Sequence, residues 1–542
     1  MRVAIIAPPY PLEEAPAPPL GVTYAASAFE QAGAEVRILD YIITQYTPAK
    51  LERELKEFQP DVIGANSVTM TFPVAAEIIR EAKRIDPSLI TLMGGPHVSF
   101  DIDRTLKTYP EIDFLVIGEG EGTIKDWVLT FQNSGDFSSV KGTAFRQNGR
   151  IVKTDSRELI EDLDELPLPA RHLLPLSRYQ ALGFPVTMIT GRGCPYSCIF
   201  CLGRKMVGSK PRPRKAALVV DEMEHLLSYG FSRINITDDL FTSRKEKVRE
   251  VCEEIGRRKL KLTWTAFSRV NTVDKETLQL MREAGCDCVS FGIETGNPEM
   301  MKRIKKGITL DQARKAVGLC KEVGILPHAS FMVGLPGESP ETLRDTAEFS
   351  KSLDMLYGFH FLAPFPGTTV REQIDQYDLE ILTDDWSRYD ANSAIVRTSS
   401  LTPEAINQFV ADFDREIQEA WEKQIQGYYD KTNTPEEDFR VAGHFRMELV
   451  YKLLSEDLLE ACGFFPNDGP NSRAGEPLDQ LCQRLQGTTG LDIELIQKTI
   501  RSFIDSGYIK NRPEEGGLRW YWTHNNRGDF PEHEQITHHV ML

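Results

Sequence analysis

At 542 residues, with 41% hydrophobic and 26% charged residues, the chain exceeds a single core and has the make-up of a globular protein of about three domains. A formal charge of −17 repels polyanions, which sets extended nucleic-acid binding aside, and no apolar run approaches the ~20 residues of a membrane helix. Three of the nine cysteines cluster and six are scattered, and no signal-peptide pattern precedes MRVAIIAPPY; this usage fits a reduced, cytoplasmic protein without a disulfide framework.

Residues 1–150 carry short buried strands, RVAIIAPP, EVRILDY, VIGANSV, LITLMGG and FLVIGEG, separated by helical runs such as GVTYAASAFEQAGA and FPVAAEIIREAKRIDP. The pattern predicts a doubly wound parallel α/β sheet, whose ligands bind beyond the carboxyl ends of the strands. Small residues stand at those ends: Gly21, Asn66-Ser67, Gly94-Gly95 and Gly118-Glu119-Gly120. Residues 151–183 mix acids with Pro167, Pro169 and Pro175 and read as a semi-rigid connector.

The strand FPVTMIT (184–190) runs into GRGCPYSCIFCLGRK, where Cys194, Cys198 and Cys201 follow the spacing C-x3-C-x2-C. Three thiolates on one loop can hold three irons of a cubane cluster and leave the fourth open. A structural zinc site would need a fourth ligand, with His172 and His225 nearest in sequence, and three incidental thiols are the remaining alternative. Five more strands follow, FSRINITDD, KLTWTAF, CDCVSFGIE, ILPHASFMVG and FHFLAPF, alternating with amphipathic helical runs. Six β/α units over 184–385 predict a parallel partial barrel of the TIM type, with the cysteine loop at its catalytic, carboxyl end. The basic run RKMVGSKPRPRK (204–215) reads as a solvated loop, with contact to an anionic substrate or cofactor as the second reading.

From 386 to 542 the pattern is mainly helical. Residues 476–527 read as helix, turn, longer helix and hairpin, a winged-helix-like module. Seven basic and seven acidic residues cancel there, which favours contact with protein or substrate over duplex DNA.

The stretch GCPYSCIFC resembles the signature of the radical S-adenosylmethionine enzymes, with Phe200 in the aromatic slot before the last cysteine. The resemblance implies a [4Fe–4S] cluster on Cys194, Cys198 and Cys201, whose open iron chelates the methionine moiety of S-adenosylmethionine. It further implies cofactor contacts at strand ends. Asp238 and Asp239 stand near the methionine amine, although the family's paired glycines are missing there. Arg269 suits the methionine carboxylate or the ribose, Glu294 the ribose hydroxyls, and Gly334, in FMVGLPGE, the adenine. The amino-terminal unit resembles a cobalamin-binding domain. Ser67, Thr69 and the turn GGPHVS, with Gly94, Gly95 and His97, match the channel for the nucleotide tail, and Gly21, Gly118 and Glu119 join it. Where that family carries Asp-x-His-x-x-Gly, this chain reads PPYPLEEAPAPPLG, with Pro9 and Tyr10 and no histidine. The resemblance thus implies cobalamin without an imidazole below cobalt; a flavodoxin-like unit that has lost its cofactor is the alternative.

Together these resemblances imply a cobalamin-dependent radical enzyme that methylates an unactivated carbon of a small-molecule, lipid or tetrapyrrole-type substrate. Such an enzyme takes electrons from a donor such as flavodoxin or ferredoxin. Oxidation or ring closure without methyl transfer, as in the anaerobic magnesium-protoporphyrin monomethyl ester cyclase, is the alternative chemistry. A non-enzymatic cobalamin or redox sensor ranks last, because it has no need of the acids and glycines at the strand ends.

Overall fold

The computed structural model describes residues 1–466 and 477–523. Five parallel strands open the chain: β1 (Arg2–Ala7), β2 (Glu35–Asp40), β3 (Val62–Asn66), β4 (Ile90–Gly94) and β5 (Phe114–Val116). Their order is β2-β1-β3-β4-β5, so the winding direction reverses beside β1, the position where such sheets bind ligands. The inner strands β1, β3 and β4 are largely apolar because helices such as Leu20–Gln31 and Phe72–Ile85 cover the sheet, whereas the edge strand β2 carries Glu35, Arg37 and Asp40. The sheet does not stop at residue 150. An antiparallel hairpin, β6 (Thr143–Gln147) and β7 (Arg150–Lys153), extends it, turning on Asn148 and Gly149, both at positive φ. Asn-Gly is the pair that such a two-residue turn favours.

The connector is more than a spacer. Its helix Leu176–Leu182 is buried, and Arg171, in the short turn before that helix, reaches Glu222 of the next domain at 2.8 Å. Next come β8 (Val186–Met188), a two-residue antiparallel ribbon of β9 (Gly191–Arg192) with β10 (Arg212–Pro213), β11 (Arg233–Ile236), β12 (Thr263–Ser268), β13 (Cys286–Glu294), β14 (Leu326–Val333) and β15 (Leu356–Phe361). Leaving out the ribbon, six strands pair in parallel and in sequence order, β8-β11-β12-β13-β14-β15, forming the expected partial barrel. Along β14 buried and half-buried residues alternate, as a sheet packed by helices on one face and open on the other requires. The last strand starts three residues earlier than the apolar run FHFLAPF suggests and ends at Phe361, short of Pro364 and Pro366, which cannot continue a ladder.

Two long helices, Pro403–Asp430 and Pro435–Ser455, precede the terminal module. That module has helices Pro477–Thr489 and Ile493–Asp505, then the hairpin Ile509–Glu514 and Gly517–Trp522, which also pairs with Phe464–Pro466. The expected winged-helix segment 476–527 is therefore seen over 477–523; residue 476 and residues 524–527 lie outside the described residues. The region is fastened to the rest: Asp457 takes Lys50 at 2.7 Å and Arg178 at 3.2 Å, and Ser177 donates to the Thr523 carbonyl. Among the described residues no helix is long and apolar enough to cross a membrane.

Candidate active site

The cysteine loop leaves β9 through Gly193, whose φ is +103° and where a Cβ would stand 2.4 Å from the Lys210 carbonyl oxygen. Only glycine fits that turn. Backbone bonds then shape the loop. Cys194 N–H donates to the Gly208 carbonyl at 3.1 Å, and Ile199 and Val370 tie its apex to neighbouring elements through Ile199 N to Ile304 O, 3.2 Å, and Val370 N to Ile199 O, 2.9 Å. Burial pushes the Cys201 thiol up to about 11, and the Gly203 N–H, 3.3 Å from its Sγ, offsets part of that rise. Burial pushes the Cys194 thiol up, and the nearby Asp239 and Cys198 add to the rise, so its proton leaves when a cation binds. Among the described residues no three Cys, His, Asp or Glu converge on a point that could hold one metal ion. Three thiolates on one loop are the donor set of a cluster that keeps one iron open, whereas a closed zinc site would need a fourth ligand. The two histidines nearest in sequence are engaged elsewhere: His172 Nε2 is 3.0 Å from Glu30, and His225 packs on Tyr229.

Strand ends surround this loop. Arg269, just past β12, is buried with its guanidinium 3.6 Å from the Tyr196 ring centroid and Nη1 3.7 Å from Cys198 Sγ. Its Nη2 donates to the Lys306 carbonyl and its Nε to Asn271 Oδ1 at 3.3 Å. Glu294 ends β13 after a bulge, at φ +74°, a conformation costly for a residue with a side chain. Its Oε1 meets Lys306 Nζ at 2.8 Å, and that ammonium lies 5.9 Å from the Phe200 ring. Phe200, Arg269, Glu294 and Cys198 are thus linked in one network that includes Lys306 and Tyr196, two residues the sequence motifs did not single out.

The two aspartates differ. Asp238 accepts from Thr190 N and Oγ1 at 2.6 and 2.5 Å and from Gly191 N at 3.3 Å, which commits it to tying the end of β8. Burial pushes its carboxyl up to about 7. Asp239 faces the cysteine loop, accepting from Gly193 N at 3.3 Å, and a Cβ on Gly203 would lie 2.8 Å from its Oδ1 and 3.5 Å from Cys201 Sγ. Gly334 caps β14, the neighbour of β13, and donates its N–H to Glu338 Oε2 at 2.6 Å. Glu338 is fully buried with Oε1 unpartnered, and burial pushes it up to about 8.

Beyond the ends of β1, β3, β4 and β5 lies a cavity of about 250 Å³. Gly21, Gly94, Gly95, Gly118 and Glu119 line it, together with Tyr24, Asn66, Glu121 and Arg192. At Gly95, φ is +105° and a Cβ would sit 2.2 Å from Asn66 Oδ1 and 2.5 Å from the Ser67 carbonyl. Mostly apolar walls with a few polar groups at small-residue turns suit a flat nucleotide base. Other expected residues stand off this cavity. Pro9 and Tyr10 line a separate one of about 360 Å³ with Tyr41, Tyr46 and Tyr451. Ser67 is buried with its Oγ unpartnered, and Thr69 bonds His97 Nδ1 at 3.3 Å. His97 itself stacks on Phe72, with ring centroids 4.1 Å apart and Trp386 at 5.1 Å, inside a packed aromatic cluster.

The basic run is not a solvated loop throughout. Arg212 and Arg214 are buried and ion-paired, to Glu119 at 2.7 Å and to Glu222 at 2.5 Å, while Lys205 pairs with Glu372 on the surface. Arginine dominates the buried positions because its fork satisfies a carboxylate through two bonds. No local signal separates Arg212 from Lys210; its partner lies 93 residues away in another domain.

Residues 188–350 match the Radical SAM superfamily, and residues 14–128 match the B12 binding domain. A methyltransferase of Pyrococcus horikoshii, itself uncharacterized, is 34% identical over 396 residues, covering 72% of this chain and 86% of that protein. The anaerobic magnesium-protoporphyrin IX monomethyl ester cyclase of Cereibacter sphaeroides is 30% identical over 403 residues, 71% of this chain and 64% of the cyclase. In fold, the chain superposes on the cobalamin-dependent S-adenosylmethionine radical enzyme OxsB with a TM-score of 0.66 at 18% identity, over 95% of this chain and 82% of that one. The pair of domains sets the cofactors as a [4Fe–4S] cluster, S-adenosylmethionine and cobalamin, and both the thiolate trio and the glycine-floored cavity fit them. The chain belongs to the radical S-adenosylmethionine superfamily and is an enzyme of the branch that carries a B12-binding domain.

Proposed function

We propose that the enzyme transfers a methyl group to an unactivated carbon of a small-molecule, lipid or tetrapyrrole-type substrate. The observation that carries this reading is that Arg192, Met206 and Val207, which flank the cysteine loop, close the cavity of the amino-terminal domain. One segment therefore borders both cofactor sites, as a reaction using both at once requires.

When bound, the reduced cluster supplies the electron that cleaves S-adenosylmethionine to methionine and a 5′-deoxyadenosyl radical, and cobalamin supplies a transferable methyl group. Cys194, Cys198 and Cys201 hold three irons. Arg269 places a fixed positive charge beside Cys198, which offsets thiolate charge and is oriented by its stack on Tyr196. Glu294 keeps a free oxygen for paired ribose hydroxyls while Lys306 satisfies the other, and Asp239, facing the loop, suits the methionine ammonium. Asp238 positions the β8 end without touching the cofactor, and Gly334 lets the β14 turn approach the adenine. Gly21, Asn66, Gly94, Gly95 and Gly118 hold the nucleotide tail. Electrons come from an external donor of the flavodoxin or ferredoxin class, and the scattered free cysteines suit a reduced, cytoplasmic setting.

The likeness to a methyltransferase supports the transfer, and the 30% identity to the cyclase favours oxidative ring closure as the second reading. Product counting during turnover separates them. Methyl transfer gives S-adenosylhomocysteine and 5′-deoxyadenosine in a ratio near one, whereas 5′-deoxyadenosine without S-adenosylhomocysteine would leave oxidation.

A further inference from the structure

We propose that Glu119, with Arg192 and Arg212, is a clamp that couples occupancy of the cobalamin cavity to the geometry of the cluster loop. The inference rests on the cofactor placement above.

Arg192 and Arg212 are register partners across the two-residue ribbon, one entering the cysteine segment and the other leaving it. Both guanidinium groups end on one carboxylate of the other domain. Arg212 Nη1 and Nη2 donate to Glu119 Oε2 and Oε1 at 3.0 and 2.7 Å, and Arg192 Nη1 stands 3.2 Å from Oε1. Arg192 Nη2 also reaches Glu121 at 2.5 Å, and Ile160 N–H donates to Glu119 at 2.9 Å. The side chains of Glu119, Glu121, Arg192 and Arg212 are all at most 12% exposed.

Glu119 and Glu121 belong to the turn after β5 that walls the cavity, and Arg192 walls it too, 5.4 Å from the Tyr24 ring. A bidentate buried pair has little slack, since stretching it strands a charge in low dielectric. A ligand that reseats the Gly118–Glu121 turn therefore moves both ends of the cysteine segment. The cluster, by fixing that segment, in turn fixes the turn. Glu121 Oε2 is buried without a donor, an acceptor suited to the amide N–H groups at the rim of a corrin. Linkage makes the effect reciprocal: whatever the cluster does to cobalamin affinity, cobalamin does to the cluster.

The test titrates hydroxocobalamin, by absorbance under anaerobic conditions, into the full-length protein with and without its reconstituted cluster. Wild-type protein should bind about 5- to 100-fold tighter with the cluster in place. Glu119→Gln should bring that ratio close to one, and Arg212→Lys, which keeps the charge and loses the fork, should remove most of it. In dithionite-reduced samples, where the added hydroxocobalamin is held as cob(II)alamin, wild-type protein should show a cluster electron paramagnetic resonance signal altered by the corrin, and Glu119→Gln brought to the same cobalamin occupancy should show the corrin-free cluster signal; equal occupancy separates lost coupling from lost binding. Should Glu119→Gln fail to fold, Arg192→Lys carries the same expectation. A wild-type ratio of one, or a ratio kept in the variants, overturns the clamp. No hydroxocobalamin uptake by wild-type protein overturns the cofactor placement itself.

Discussion

Lys306 Nζ lies 2.8 Å from Oε1 of Glu294, and both side chains are buried at the mouth of the barrel. Removing one partner leaves a charge stranded in low dielectric, which costs about 3–5 kcal/mol. Lys306→Met should lower stability toward denaturant by that amount, and adding Glu294→Gln should recover much of it. Glu294→Gln alone should also weaken S-adenosylmethionine binding roughly tenfold, the effect of about 1.4 kcal/mol lost from a charged hydrogen bond. Equal stability of Lys306→Met and the wild-type chain would show that the pair carries no such burden.

Glu338 gives a pH dependence with a definite sign. Burial raises its carboxyl from 4.5 to about 8, so between those values the folded chain holds a proton that the unfolded chain has released. Its contribution therefore favours the fold at low pH and is lost as pH rises from about 4.5 to 8, at about 1.4 kcal/mol per pH unit. Glu338→Gln mimics the protonated acid and should flatten that decline. The difference between variant and wild-type unfolding free energies, measured from pH 5 to 8, should grow with pH; a constant difference contradicts the assignment.

Gly95→Ala should be severe. A methyl there would meet Asn66 and the Ser67 carbonyl well inside contact distance, at a φ that itself costs an L-residue roughly 1–2 kcal/mol. Cobalamin uptake should fall sharply while iron content after reconstitution changes little, which metal analysis of one sample reads for both cofactors.

Burial, with Arg104 and Arg371 nearby, lowers His97 to about 3, which favours the neutral imidazole even with Asp101 at 3.7 Å from its Nε2. It is committed to Phe72, Trp386 and Thr69. The protein carrying cob(II)alamin should show no nitrogen splitting from a lower ligand, and His97→Ala should leave that spectrum unaltered. Nitrogen splitting that disappears in His97→Ala would place the cofactor differently.

The sequence made the chemistry more legible than the pairing. Cys194, Cys198 and Cys201 announce themselves by spacing, and the barrel strands by apolar runs of the right length. Lys306 gives no such signal, because it meets Glu294 only after the helix Pro298–Arg303 turns the chain back. Asp238 and Asp239 are adjacent, yet one is spent on β8 and the other faces the loop, a difference set by strand geometry. Arg212 sits among basic residues that look solvated, and its burial depends on Glu119 in another domain. The strands TAFRQ and RIVK are too polar to stand out, although the Asn148-Gly149 pair between them is a hairpin signal.

The most direct test is the electron paramagnetic resonance spectrum of the anaerobically reconstituted, reduced protein before and after S-adenosylmethionine is added. One [4Fe–4S] cluster on Cys194, Cys198 and Cys201 with an open iron should give a signal that shifts when the methionine moiety binds. Alanine at any of the three should abolish that shift together with reductive cleavage to 5′-deoxyadenosine. A signal unmoved by S-adenosylmethionine, stoichiometric zinc in place of iron, or full cleavage by the triple alanine variant would contradict an open-iron cluster at this loop.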